Sequence, residues 1–84
     1  MPDILYFAWL RDRLGHDREA MVLPSGVTRV SDLVSVLQAR GGAYGEIFGQ
    51  PELVRVAVNQ SFATLDASIG PDDEIAFFPP VTGG

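Results

Sequence analysis

One stretch of this chain spaces its apolar residues for a helix of several turns, and most of what surrounds it reads as strand or turn. Val30, Leu33, Val34 and Leu37 follow the i, i+3, i+4, i+7 pattern of one helical face. Thr28 is the candidate N-cap, and Gly41–Gly42 form the stop. A helix apolar on one side only must bury that side against another element. Here the partner has to be a sheet.

The strands flank the helix on both sides. "DILYFAWL" (3–10) is a continuous apolar run, the pattern of a central strand buried on both faces. "RDRLGHD" (11–17) breaks it as a turn or short helical link, and "REAMVLP" (18–24) resumes a strand that Pro24 closes, completing a hairpin. After the helix, "AYGEIFGQPE" (43–52) reads as a glycine-punctuated loop with room for one short helical turn. In "LVRVAV" (53–58), Val54, Val56 and Val58 share one face and Arg55 takes the other. "SFATL" fits a short edge strand, "GPDDE" a turn, and "EIAFF" (74–78) a last strand ended by Pro79–Pro80. The order β-β-α-β-β-β predicts an α+β fold of the β-grasp, or ubiquitin-like, kind. A mixed sheet of four to five strands packs on one main helix, with first and last strands as parallel neighbours. Residues 1–80 form the domain, and 81–84 are expected to be a flexible C-terminal tail.

Composition narrows the function. Eighty-four residues give one domain with one modest core. Cysteine is absent, which removes thiolate nucleophiles and thiolate metal sites, and the single histidine, His16, has no second histidine to share a metal. No metal is expected, and His16 is placed in a solvated turn. The net charge of −5 argues against nucleic acid and for a basic protein surface as partner. No apolar run reaches the roughly 18 residues of a membrane span, and no basic leader opens the chain, so a cytoplasmic location is expected. All six basic residues are arginine. Codon usage accounts for that; alternatively, an activated C-terminus is spared attack by its own lysines.

The chain closes on "FFPPVTGG" (77–84). Alternation lets only one of Phe77 and Phe78 face a core. The two prolines cannot rejoin a sheet and hold the backbone extended, while Gly83 and Gly84 occupy the least width. That form suits entry into a narrow channel that reads main chain. A carboxylate is a poor electrophile at neutral pH, so chemistry on Gly84 requires activation, as in an acyl-adenylate. A sulfur nucleophile then yields a thiocarboxylate, and an amine yields an isopeptide. Chemistry leaves both open.

Three segments bear a resemblance. "VAVNQ" (56–60), "PDDEIAFFPPVTGG" (71–84) and "FAWLRDRLG" (7–15) are similar to the small, sulfur-carrier subunit family of molybdopterin synthases. Length and element order agree throughout, while residues 16–52 match only in pattern. Pro71-Asp72-Asp73 stands where the family often has an Asp-Gly-Asp turn. The resemblance implies that Gly84 is adenylated by a ubiquitin-activating-like adenylyltransferase using ATP, then converted to a thiocarboxylate by a sulfur-transfer protein. The charged tail enters the active site of a large synthase subunit within a heterotetramer. Sulfur passes there to cyclic pyranopterin monophosphate, forming the molybdopterin dithiolene. This chain would be a non-catalytic sulfur donor that binds no cofactor itself. Its implied partner contacts are Phe7, Arg11, Phe62, Phe78, Pro80, Val81, Thr82 and Gly83. For Phe7 a core place competes with an interface place, whereas Phe62 and Phe78 fit the interface. Arg11 either fixes the tail, pairs across the interface or is solvated. Two rivals share the fold. One is the sulfur carrier of thiazole biosynthesis; the other is a β-grasp interaction module or ubiquitin-like modifier.

Overall fold

The computed structural model describes residues 1–80. Val81, Thr82, Gly83 and Gly84, and with them the expected tail, lie outside the described residues. The elements run β1 (Asp3–Tyr6), α1 (Trp9–Leu14), β2 (Arg18–Ala20), α2 (Val30–Gln38), α3 (Gly42–Phe48), a 3-10 turn (Pro51–Leu53), β3 (Arg55–Val58), β4 (Ser61–Ala63) and β5 (Glu74–Phe78). The strands form one mixed sheet in the order β2-β1-β5-β3-β4. β1 and β5 are the expected parallel neighbours, with Ile4 opposite Ile75 and Tyr6 opposite Phe77. The other pairs are antiparallel. This is the β-grasp arrangement.

Strand parity sorts the side chains. Ile4, Tyr6, Ile75, Phe77 and Val56 point to the helices and are buried with Val30, Leu33, Leu37, Ile47 and Phe48. Phe48 meets Phe77 edge-on, ring centroids 5.1 Å apart. Fully burying each such aliphatic or aromatic side chain contributes roughly 1.5–3 kcal/mol. α2 begins at Val30, one residue later than a Thr28 cap would start it. Its N-cap is Arg29, and the Asp32 carboxylate accepts the Thr28 and Arg29 backbone N–H groups, both at 3.0 Å. The Arg29 N–H is among the donors that the first turn leaves without helical partners. Gly41 (φ 76°) then reverses the chain between α2 and α3 in a conformation that side chains disfavour.

Several further expectations need correction. The run 3–10 is not one strand. It stops at Tyr6, turns at Ala8 (φ 56°) and enters α1, whose Leu10 is buried. β1 is central, but its burial alternates, with Ile4 and Tyr6 buried and Asp3 and Leu5 half-buried, so only one face is covered. β2 ends at Ala20 and not Pro24, because the register exhausts β1 there: Ala20 lies opposite Asp3. Residues 43–52 are mostly helical, not a loop.

His16 is not left to solvent. Its ring stacks on Tyr6 with centroids 5.3 Å apart, and its Nε2 meets the Tyr44 hydroxyl. Glu19 gathers the rest of that cluster: it accepts from Tyr6 at 2.9 Å, from Tyr44 at 3.2 Å and from both terminal nitrogens of Arg40. β2 and the α1–β2 turn are thereby tied to α3. Burial opposes the Glu19 charge, but the Arg40 and Tyr6 hydrogen bonds outweigh it and hold the carboxyl below its ordinary range.

Candidate functional site

The helices cover one side of the sheet, and parity assigns the other side without ambiguity. Three rows cross it. The middle row runs Arg18, Leu5, Ala76, Ala57, Phe62 from β2 to β4. The row nearest the end of β5 contains Phe78 opposite Arg55. Phe7 extends this row, since its N–H still donates to the Phe77 carbonyl at 3.0 Å beyond the end of β1. The far row is acidic, Asp3 beside Glu74. The face is therefore apolar and aromatic where β5 leaves the sheet and charged at the opposite end.

Small residues pave its centre. Ala57 and Ala76 lie opposite each other, leaving a shallow floor between larger side chains. Phe62 is 84% exposed and Phe7 47% exposed, while Phe78 is half-buried with its ring 5.8 Å from that of Phe62. A groove of about 280 Å³ lies among Arg55, Val56, Phe62, Ala63 and Phe78. That is below the roughly 300–1,000 Å³ of pockets that enclose small ligands. Exposed phenylalanines around a flat apolar floor are the makings of a protein-docking surface.

Of the expected contact residues, the structure brings Phe7, Phe62 and Phe78 to one face. Arg11 stands on α1, exposed, with Asp12 at 3.6 Å; no register relation joins it to the aromatic row. Pro80 is half-buried and follows β5 by two residues. Val81, Thr82, Gly83 and Gly84 lie outside the described residues. Arg55 and the Ala57–Ala76 floor were missed. Their signal was present in the alternation of "RVAV" and "EIAFF", which fixes which residues share a face once the strands are paired.

Among the described residues, no helix is long and apolar enough to cross a membrane.

Comparison with known proteins covers the whole of this architecture. Residues 4–84 match the ThiS family. A curated relative from Haemophilus influenzae, "Molybdopterin synthase sulfur carrier subunit", is 34% identical over 100% of both chains. The solved structure of a "Putative molybdopterin converting factor, subunit 1" from Pyrococcus furiosus superposes with a TM-score of 0.78 at 28% identity, covering 95% of this chain and 97% of that one. SAMP1 from Haloferax volcanii superposes at 0.76 with 28% identity, covering 99% of this chain and 98% of that one.

Proposed function

This chain belongs to the ThiS family, and from that premise we propose that it is the sulfur-carrier subunit of a molybdopterin synthase. The observation that carries the reading is the full-length similarity to a curated protein of that name, 34% identical over 100% of each chain. The exposed Phe7 and Phe62 and the half-buried Phe78 support it, because a carrier must present a docking surface to a second subunit.

The chemistry follows from the terminal glycine. An adenylyltransferase joins the Gly84 carboxylate to AMP with release of pyrophosphate. A sulfur nucleophile delivered by a sulfur-transfer protein displaces AMP, breaking the C–O bond and forming C–S. The resulting thiocarboxylate is anionic at neutral pH. Docked on the large subunit, the tail places this sulfur against cyclic pyranopterin monophosphate; the sulfur bonds to the pterin, water cleaves the Gly84 C–S bond, and Gly84 returns as a carboxylate to be charged again. The side chains that act on the pterin belong to the large subunit. The role of this chain is to hold the reacting atom at a fixed reach from the docked face. Pro80, Val81, Thr82 and Gly83 set that reach, and Arg11 either fixes the tail or pairs across the interface.

Mass spectrometry after incubation with the activating enzyme, ATP and a sulfur source tests this. The chain should gain the mass of an oxygen-to-sulfur exchange in its C-terminal peptide. Deleting Gly84 should abolish the gain and molybdopterin formation. One residue of extended chain is about 3.3 Å, and misplacement by about 1 Å can cost roughly a hundredfold in rate. A Gly84 deletion that still acquires sulfur and makes molybdopterin would end the reading.

A second reading has its own support in the likeness to SAMP1, the small archaeal modifier protein 1 of Haloferax volcanii. A modifier would form an isopeptide through the same adenylate. The two separate in one experiment, since only a modifier yields covalent adducts on the lysines of other proteins.

A further inference from the structure

The arginines of this chain are not equivalent. Arg11, Arg13, Arg18 and Arg40 each have a carboxylate within ion-pair distance, on Asp12, Glu46, Asp3 and Glu19. Arg29 sits at the start of α2 and donates to the Asp66 carbonyl at 3.3 Å. Arg55 alone is both on the uncovered face and without a carboxylate within ion-pair distance among the described residues. Among the described residues its guanidinium makes one hydrogen bond, to the carbonyl of Val54, its neighbour in sequence, at 3.3 Å. A chain with eleven acidic residues has carboxylates in abundance; the fold places none of them here.

The position matters as much as the charge. Arg55 lies directly opposite Phe78 in the β3–β5 register and lines the groove shared with Phe62. It is exposed, at the end of the face where β5 leaves the sheet. An arginine stem packs on apolar surface while its planar head keeps several donors available for a carboxylate. In the middle of an acidic protein, this is a local patch of the opposite sign.

We propose that Arg55 is the specificity-determining charge of the docking face: its guanidinium takes a carboxylate that the large subunit presents at the margin of the apolar surface. The proposal rests on the synthase reading above. The chain as a whole, at net −5 with Arg55 included, favours a basic partner surface. A single acidic group set within such a surface would find Arg55 in one orientation only. Apolar contact between flat faces is poorly directional, so a charge pair at the rim fixes the register and rejects rotated encounters. Correct register is what brings the tail to the active site.

Calorimetric titration against the large subunit, at low and at near-physiological salt, tests this. Arg55→Gln should weaken binding about tenfold at low salt and flatten its salt dependence, as expected for loss of one charge-assisted pair at an interface. Arg55→Lys should recover part of the loss, and Arg55→Glu should lose more than Arg55→Gln because it meets the partner carboxylate with like charge. Arg13→Gln removes the same charge from a surface away from this face and should bind as the native chain does. Thermal unfolding of each variant separates folding from docking. Equal affinity for Arg55→Gln and the native chain, equal losses at Arg13 and Arg55, or an Arg55→Glu no worse than Arg55→Gln would overturn the proposal while leaving the synthase reading in place. A native chain that does not bind the large subunit at all would overturn both.

Discussion

The rings of Phe62 and Phe78 stand 5.8 Å apart, tilted by 52°, on a side of the sheet that no helix covers. They come from the edge strand β4 and the inner strand β5, with β3 between them. Only when all three strands are paired do they form one surface, so the patch is a product of the fold and not of local sequence.

Phe62→Ala should separate docking from folding. The ring is 84% exposed, so its loss should alter stability by less than about 0.5 kcal/mol. Binding to the large subunit should fall by roughly 2 kcal/mol, the scale of an aromatic anchor at an interface. Phe78→Ala should show the same binding loss with some loss of stability, since that ring is half-buried. Unfolding curves and calorimetry on the same samples decide it. Undiminished affinity in both variants would remove these rings from the interface.

Leu33→Ala should act in the opposite sense. Leu33 is fully buried on α2 against the sheet, and truncation of such a side chain costs about 2–5 kcal/mol. Chemical denaturation should show the loss. Docking affinity, measured well below the new melting temperature, should be unchanged.

The Glu19 cluster predicts a pH dependence with a defined sign. The folded carboxyl titrates below its ordinary value of 4.5. Its stabilising contribution is therefore complete above about pH 4.5 and is lost as pH falls through the lower folded value. Tyr6 behaves conversely. Burial first, and then its bond to Glu19, push its hydroxyl far above 10.0, so this contribution is present below pH 10 and fades as pH rises. Glu19→Gln should flatten the acid limb of a stability–pH curve and Tyr6→Phe the alkaline limb. An acid limb unchanged in Glu19→Gln would assign that limb to other carboxylates.

Ala8→Gly should leave the fold intact and raise stability slightly. Ala8 has φ 56° and ψ −135°, a conformation costing a residue with Cβ about 1–3 kcal/mol, against roughly 0.5–1 kcal/mol of added chain entropy for glycine. Equilibrium denaturation should show a midpoint at or above that of the native chain. A clear fall would mean that the alanine methyl packs favourably at the head of α1.

Much of this was legible in the sequence, and the failures have identifiable physical causes. The period of Val30, Leu33 and Leu37 locates α2, and the "FF" pair divides as alternation requires: Phe77 is 1% exposed in the core and Phe78 lies on the far side. The run 3–10 misleads because the strand's apolar face continues into the buried side of α1, and the bend between them is made by an alanine where a glycine would announce it. α3 is hidden by the glycines in it and at its end, of which Gly49, the C-cap, serves close packing. A Cβ on Gly49 would come within 2.7 Å of the Gly45 carbonyl and 3.3 Å of the Gln38 side-chain nitrogen. The exposure of Phe7 was undecidable beforehand, because it depends on β1 stopping one residue earlier, at Tyr6.

The parallel pairing of β1 with β5 also has a mechanical meaning. Because the two strands point the same way, the start of β1 and the finish of β5 lie at opposite ends of the sheet. Tension applied between those two points runs along the strands and loads all the rungs between Asp3–Glu74 and Tyr6–Phe77 at once, in shear. A hairpin pulled from its open end would instead unzip one rung at a time. A partner that grips the chain beyond Phe78 and draws on it therefore pulls against the strongest direction of the domain.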